Sequence, residues 1–215
     1  LRCDLLTPSI LIMSPIHKVV LGVSGASGAC YAVRTLQLLL AAGVEVDLIY
    51  SAAARRVLWE EMDIRLLDDP AVLLDGQAVP AGLRLWPHHD IGAPPASGTA
   101  IGDAVLLVPC SLSTIAAIAY GSASNLIERA AQVALKEGKQ LLVVPRESPL
   151  SRQHIDCLSR LAWAGATILP ASPGFYQRPQ SIADLVNQVC GKILNCCGIQ
   201  QDCLPPWDGG VGPCA

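Results

Sequence analysis

The sequence predicts an α/β fold in which a mainly parallel sheet lies between two layers of helices. The strand-like runs are rich in Val, Ile and Leu and lack clean alternation, as expected of strands that are covered on both faces. Helical patterns separate successive runs, which is typical of βαβ units and a parallel sheet. Hydroxyl-bearing and charged residues follow several runs directly, at the edge where open sheets bind ligands.

Five runs have the character of buried strands, and a sixth is shorter. They are Lys18–Val23, Val44–Tyr50, Ala104–Val108, Gln140–Val144 and Ala166–Leu169, with the short run at Leu83–Trp86. The short run lies in a stretch from Asp68 to Ala96 that is rich in Pro, Gly and Asp, and we expect this stretch to be irregular.

Capping residues mark the ends of the predicted helices. Asn125 lies three residues before Glu128, which is typical of an N-cap. Pro149 suits the first helical position after a Ser148 cap. A further helical pattern begins after Thr114. The other helices are expected from Gly28 to Ala42, from Asn125 to Gly138, from Ser148 to Gly165 and from Ser181 to about Gly198.

The composition favours a protein whose surface is partly covered by other copies of itself. The chain has 215 residues, of which 52% are hydrophobic and 15% are charged. A lone globular protein usually carries more charged surface, so we expect a homo-oligomer. No apolar run reaches the roughly 18 residues of a membrane-spanning helix. A net charge of −3 gives no reason to expect nucleic acid as a partner.

One large domain is expected between two terminal segments. Residues 1–16 are interpreted as a leader or N-terminal extension, in which Met13 is a candidate start. Residues 17–200 form the predicted domain. Residues 201–215, which contain several Pro and Gly, are expected to form an extended C-terminal arm.

The nine cysteines give little reason to expect a metal site. No Cys-x-x-Cys occurs, and none of the four His residues lies among the cysteines near the C-terminus. Reduced cysteines that act as small hydrophobic residues in a cytoplasmic protein are the simpler interpretation.

A Gly-rich turn follows the first strand. Gly25, Ser27 and Gly28 precede a helix whose unpaired N–H groups can bind an anion. The turn is neither a Walker loop nor a G-x-G-x-x-G fingerprint. Tyr50 and Ser51 stand where a dinucleotide site has an acidic residue. A mononucleotide is therefore favoured over a dinucleotide, and the alternative is a turn with no ligand.

A second set of hydroxyls follows the run that ends near Val108. Ser111, Ser113 and Thr114 can hold a phosphate together with the N–H groups of the next helix. The alternative is ordinary N-capping by Ser or Thr. Two such loops on one sheet favour a phosphorylated ligand that bridges them.

Several cations and a carboxylate complete the candidate site. Arg129 and Lys136 are seven residues apart and share a helix face. With Arg146 and Lys192 they can form a cationic pocket, and the alternative is a solvated charged surface. Glu147 follows Arg146 at a strand end, where it is a candidate proton-transfer group or a salt-bridge partner.

An aromatic pair follows the last predicted strand, in the segment Pro173-Gly174-Phe175-Tyr176. The Tyr176 hydroxyl can bind a phosphate while its ring covers an apolar ligand. The alternative is an aromatic plug on the core.

Taken together, these segments resemble the UbiX-type flavin prenyltransferases. The matching blocks are GVSGASGACYAVR, APPASG, PCSLST, NLIERAAQVALKE, LVVPRESPL, GATILPASPGFYQRPQS and the helix that contains Gly191-Lys192-Ile193-Leu194. They span Lys18 to about Trp207. The resemblance implies a Rossmann-like three-layer α/β/α sandwich that binds FMN at a subunit interface and assembles as a dodecamer. No metal requirement is expected, because Asp68-Asp69 lacks the second acidic cluster through which diphosphate-using prenyltransferases recruit magnesium.

The resemblance also implies a reaction and roles for individual residues. A dimethylallyl group passes from dimethylallyl monophosphate to reduced FMN, and the prenylated FMN serves a UbiD-type decarboxylase. The residues that would hold FMN are Gly25, Ala26, Ser27, Ser51, Ser97, Ser111, Leu112, Ser113, Thr114 and Arg146. Those that would hold the prenyl phosphate are Arg129, Lys136, Tyr176 and Lys192. The catalytic set would be Ser27, Glu61, Glu147 and Tyr176, with Glu60 beside Glu61.

Three other functions stay open. One is a flavin-dependent decarboxylase of the related cysteine-decarboxylase class, whose PASANT-like signature is replaced here by Pro109-Cys110-Ser111-Leu112-Ser113-Thr114. Another is an aromatic-acid decarboxylase that acts directly. The third is a non-catalytic flavin-binding protein, which would have no need of a second phosphate pocket.

Overall fold

The computed structural model describes residues 15–65 and 69–206. Most of the predicted leader and the end of the predicted arm, including Trp207, lie outside the described residues. Within them, six strands form one sheet: β1 (Lys18–Val23), β2 (Glu45–Tyr50), β3 (Leu83–Trp86), β4 (Ala104–Cys110), β5 (Gln140–Pro145) and β6 (Thr167–Ile168). The predicted short strand β3 is confirmed, and it lies between two 3-10 helices, Pro70–Leu74 and Pro94–Ala96.

The sheet order places β1 and β4 at its centre. The order is β3-β2-β1-β4-β5-β6, and every neighbouring pair is parallel. The chain therefore moves outward from β1 in one direction, returns to β4 and moves outward in the other. Such a reversal leaves a crevice at the carboxyl ends of the two central strands, which is where open sheets bind ligands.

Helices cover both faces of the sheet, so the predicted α/β sandwich is confirmed. In the described residues they are α1 (Ala29–Ala41), α2 (Ala52–Met62), α3 (Leu112–Ala119), α4 (Leu126–Lys136), α5 (Arg152–Trp163) and α6 (Ile182–Cys196). Helices α1, α2 and α6 share one core with Val19 and Leu21. Helices α3, α4 and α5 share the other core with Val20 and Val105. Because successive strand side chains point to opposite faces, the sheet is buried on both sides.

The predicted start of the helix after β5 was wrong. Helix α5 begins at Arg152 rather than after Ser148. Ser151 Oγ accepts a hydrogen bond from His154 N at 3.2 Å, and His154 Nδ1 accepts one from Ser151 N at 3.2 Å. These reciprocal bonds satisfy two amides at once, so this cap prevails over Ser148 and Pro149.

Helix α2 had no counterpart among the predicted helices. Only Ala54 and Leu58 of this helix are buried, so its apolar stripe is too narrow to be recognised from periodicity. The helix matters for the site because Ser51 caps its first turn and Glu61 lies in its last turn.

Candidate functional site

The loops after the two central strands are tied together by Ser24, which is buried. Its backbone N–H and its hydroxyl both donate to the Pro109 carbonyl oxygen, at 3.2 and 3.3 Å. Its Oγ also accepts a hydrogen bond from Ser111 N at 2.7 Å. The Gly-rich turn after β1 and the hydroxyl-bearing turn after β4 are therefore held side by side.

Ser24 was missed in the sequence interpretation. The sequence contains an indication of its role, since Ser24 is a small hydroxyl-bearing residue that directly follows a buried strand. What could not be foreseen is that its hydroxyl points inward to the neighbouring loop rather than outward to a ligand.

Three hydroxyls cluster at the beginning of α3. Ser111 Oγ lies 3.0 Å from both Ser113 Oγ and Thr114 Oγ1. It also accepts a hydrogen bond from Thr114 N at 3.4 Å, so Ser111 is the N-cap of the helix. Capping and ligand binding are thus compatible here, because the other two hydroxyls remain able to reorient toward an anion.

The Gly-rich turn already holds an anion, which is the carboxylate of Glu61. Gly28 N and Ala29 N donate to Glu61 Oε2 at 2.9 and 2.8 Å. Burial acts to raise the pKa of Glu61, but hydrogen bonds from Ser27 and from the two amides, together with the charge of Arg146, outweigh it and lower the pKa. These helix amides do bind an anion, as predicted, but it is a carboxylate of the chain itself, and the assignment of Gly25, Ala26 and Ser27 to FMN stays a prediction.

The structure separates the two neighbouring glutamates of α2. Glu60 pairs with Arg56 at 2.7 Å on the exposed side of the helix. Glu61, one residue further, reaches the N-terminus of α1. Since adjacent helical residues point about 100° apart, only one of the two can face the turn.

The remaining edge residues pack closely around this turn. Ser51 N donates to the Val23 carbonyl oxygen at 3.0 Å, and Ser51 Oγ accepts from Ala54 N at 3.1 Å. A methyl group placed on Gly25 would lie 2.5 Å from Ala53 Cβ, so only glycine lets α2 approach.

Arg146 and Glu147 enter the edge from the end of β5. Arg146 Nε donates to the Ser27 carbonyl oxygen at 3.1 Å, which ties the third loop to the other two. Glu147 is exposed, and its Oε1 accepts a hydrogen bond from Ser148 N at 3.0 Å. The edge therefore combines hydroxyl donors with one cation and two carboxylates. This donor set fits a phosphorylated flavin.

Tyr176 and Lys192 lie at a separate cavity of about 840 Å³. Lys192 projects from α6, and the opposite wall is formed by residues 198–202 and 204–206. The described part of the predicted arm is therefore packed on α6. Gln201 holds it there, since its Oε1 accepts from Leu204 N at 2.7 Å and its Nε2 donates to Asn195 Oδ1 at 3.1 Å.

Arg129, Lys136 and Ser97 lie in the opposite layer. Arg129 and Lys136 are both exposed on α4, and Lys136 pairs with Glu137. The loop of Ser97 reaches the same end of α4, because a methyl group on the adjacent Gly98 would collide with Glu137. Helix α4 covers one face of the sheet and α6 covers the other. A single chain therefore does not bring these residues to the Tyr176–Lys192 cavity.

Neither a metal cluster nor a spanning helix occurs within residues 15–65 and 69–206. No group of three or more His, Cys, Asp or Glu residues is placed to hold a metal ion there. No helix in those ranges has both the length and the apolar character to cross a membrane. The seven cysteines found there are free, and Cys110, Cys157, Cys190 and Cys197 are buried.

Comparison with known proteins identifies the family. The model of the Flavoprotein family matches residues 11–194. The flavin prenyltransferase UbiX of Pseudomonas aeruginosa is 45% identical over 200 residues, which cover 91% of this chain and 96% of that protein.

Solved structures agree with the sequence comparison. The crystal structure of AnUbiX in complex with FMN and dimethylallyl pyrophosphate has a TM-score of 0.82 and 32% identity, and covers 91% of this chain and 99% of its own. A dodecameric FMN-dependent UbiX-like decarboxylase from Escherichia coli has a TM-score of 0.80 and 32% identity, and covers 89% and 100%. At this identity and coverage, the chain belongs to the UbiX-type flavin prenyltransferases within the Flavoprotein family.

Proposed function

We propose that this protein joins the dimethylallyl group of dimethylallyl monophosphate to reduced FMN. The observation that carries the proposal is the polar edge at the crevice, where three loops are cross-tied by Ser24 and Arg146 within one chain. Membership of the flavin prenyltransferase family supports it independently.

The polar edge would hold FMN. Glu61 occupies the amides of Gly28 and Ala29, so the phosphate of FMN would draw on the other donors of the edge. These donors are the amides that precede Gly28 and the hydroxyls of Ser51, Ser111, Ser113 and Thr114. Arg146, beside the Ser27 carbonyl, would lie against the flavin and keep the turn in place. Bound reduced FMN supplies the nucleophilic ring to which the prenyl group is added.

The prenyl phosphate would be held by two copies of the chain. Tyr176 and Lys192 face one cavity, while Arg129 and Lys136 lie on the opposite layer. Packing the α4 layer of one copy against the Tyr176–Lys192 cavity of another would place the four predicted residues around one substrate. Cations fixed there stabilise the charge that develops on a departing phosphate, by about 3 kcal/mol for a well-placed donor.

Glu61, Ser27 and Glu147 would manage protons. Glu61 stays ionised because its pKa is lowered despite its partial burial, mainly through the bonds from Ser27 and the α1 amides. Its lowered pKa makes it a weak proton acceptor, so its role would be to orient Ser27. Glu147 is exposed at the same edge and could exchange a proton with the substrate and with water.

Direct decarboxylation is the second candidate. It is favoured by one observation, namely that the similar structure from Escherichia coli is described as an FMN-dependent decarboxylase. The two functions differ in their products, because one adds a prenyl unit to the flavin and the other releases carbon dioxide from an aromatic acid.

An anaerobic assay with purified protein, reduced FMN and dimethylallyl monophosphate separates these candidates. We expect the flavin to gain the mass of one prenyl unit, without added magnesium. Carbon dioxide from an aromatic acid, with no flavin adduct, would favour direct decarboxylation. Tight FMN binding with neither product would leave only a flavin-binding role.

The oligomeric state, the cellular compartment and the recipient of the product belong to the same proposal. We expect a homo-oligomer, with a dodecamer as in the Escherichia coli structure as the first candidate. The seven reduced thiols among the described residues suit the cytoplasm, where thiols stay reduced. A UbiD-type decarboxylase would receive the prenylated FMN.

A further inference from the structure

Gln188 is a buried polar residue outside the predicted site. It lies in α6, and only 8% of its surface is exposed. Its Oε1 accepts a hydrogen bond from the backbone N–H of Gly174, fourteen residues earlier in the chain. If this hydrogen bond is lost, the buried Gln188 side-chain oxygen is left without this partner, which costs free energy.

The loop bound by Gln188 is the loop that carries Tyr176. A methyl group placed on Gly174 would lie 3.0 Å from Tyr176 Cε1 and 3.1 Å from Gln188 Nε2. Both side chains therefore pack against the open side of the same glycine. The backbone of Gly174 therefore lies between the side chains of Gln188 and Tyr176.

Helix α6 presents Gln188 and Lys192 one turn apart. Residues four apart lie on the same helix face. Gln188 is covered by the loop, whereas Lys192 is exposed and faces the cavity of about 840 Å³ that Tyr176 also lines. The separation between the tyrosine and the lysine is therefore set by where Gln188 fixes the loop along the helix.

We propose that Gln188 is a positioning residue that places Tyr176 relative to Lys192 for binding of the prenyl phosphate. This inference rests on the proposed function, because it assigns Tyr176 and Lys192 to that phosphate. Gln188 does not touch the substrate, and it acts through the Gly174 amide and the Tyr176 ring.

The test replaces Gln188 with Met, which keeps the length of the side chain and removes the acceptor. We expect Gln188→Met to weaken dimethylallyl monophosphate about fivefold, the cost of one lost hydrogen bond, in KM and in Kd for the protein loaded with oxidised FMN. FMN affinity should stay within about twofold, because the FMN edge lies elsewhere. Hydrogen exchange of the Gly174 amide should become faster.

Two further variants separate positioning from general packing. Gln188→Glu keeps an acceptor oxygen, so protection of the Gly174 amide should return. In a Tyr176→Phe background, Gln188→Met should change the Kd for the prenyl phosphate by less than about twofold. The reason is that the tyrosine hydroxyl that Gln188 would position is already absent. Gln37→Met is the matched control, since Gln37 Nε2 bonds the Leu73 carbonyl oxygen at 3.3 Å, away from this loop.

The outcomes are distinct. Unchanged exchange and unchanged Kd in Gln188→Met would overturn the inference, and so would a full fivefold loss in the Tyr176→Phe background. Wild-type protein that binds the prenyl phosphate but forms no adduct would overturn the proposed function alone. In that case the difference in Kd between wild type and Gln188→Met still measures whether Gln188 positions Tyr176. Wild-type protein that does not bind the compound would overturn both.

Discussion

The polar edge and the prenyl-phosphate residues are assembled in different ways. At the polar edge, side chains from three loops are joined by hydrogen bonds within one chain, through Ser24 and Arg146. The residues predicted for the prenyl phosphate fall into two groups on opposite faces of the sheet. The comparison teaches that one chain assembles the polar edge by itself, whereas it leaves the residues predicted for the prenyl phosphate in two separate groups.

The strongest test of this comparison is complementation between inactive copies. We expect Arg129→Ala and Lys192→Ala each to lower kcat/KM about 100-fold, because each removes a cation from the departing phosphate. Oligomers co-assembled from equal amounts of both variants should regain about a quarter of the sites, since each site would draw Arg129 and Lys192 from different copies.

Activity of the mixed oligomers is measured after copurification with two different tags. Arg152→Ala, which removes an exposed cation of α5, serves as the control and should behave like wild type. Mixed oligomers as inactive as the single variants would show that both cations must come from one chain, and the comparison would fail.

The next largest effect is expected at the tie between the two central loops. Ser24→Ala leaves the Ser111 amide without its hydrogen bond, so we expect a loss of about 1–3 kcal/mol in the free energy of unfolding. FMN should bind about tenfold more weakly, because the hydroxyl cluster at α3 loses its support. Urea unfolding and FMN titration measure the two effects.

A serine on an exposed helix surface provides the reference for that variant. Ser159→Ala in α5 should change neither quantity. Normal FMN affinity in Ser24→Ala would mean that the edge does not depend on the cross-tie.

A smaller effect is expected for the carboxylate that occupies the α1 amides. Glu61 has a lowered pKa in the folded protein, so its stabilisation is complete above the unfolded pKa and is lost as the pH falls through the folded pKa. We expect Glu61→Gln to lower the unfolding midpoint by about 2 °C at pH 7. The gap to wild type should close on acidification, which calorimetry across pH can follow.

Glu60→Gln is the matched variant on the neighbouring residue. Glu60 pairs with Arg56 on the exposed surface, where an ion pair contributes little, so Glu60→Gln should unfold at nearly the same temperature as wild type across the pH range. A gap for Glu61→Gln that widens at low pH would contradict the assigned charge state.

The smallest expected effect concerns Cys110, at the end of β4. Burial is the main cause that raises its pKa to about 12, so the thiol should resist alkylation at pH 8. Iodoacetamide and mass spectrometry should find Cys110 unmodified in the protein with and without FMN, and modified after unfolding. Modification in the FMN-free protein would show that the polar edge is not closed before FMN binds.

Much of the fold was readable from the sequence because its signals are local. The buried strands appeared as apolar runs, and Asn125 and Ser181 capped α4 and α6 as predicted. The errors also have local causes. At α5, two serines compete as caps, and at α2 only two buried residues carry the helical pattern.

Much less of the candidate site was readable. The hydroxyls after β4 and Arg146 after β5 were predicted because the ends of parallel strands meet at one edge. Ser24 and Gln188 escaped notice, because their hydrogen bonds reach residues 85 and 14 positions away. No pattern within a single element encodes such a contact.

By itself, the sequence determined the parallel sheet, the edge that carries the polar loops and the family of the protein. Apolar periodicity, caps and ordered blocks of residues are properties of the chain before it folds. Only the tertiary structure decided that Glu61 rather than Glu60 satisfies the α1 amides, and that Arg129 and Lys192 lie on opposite faces. These facts depend on how helices from distant parts of the chain pack on one sheet, because packing brings together groups that no local spacing relates.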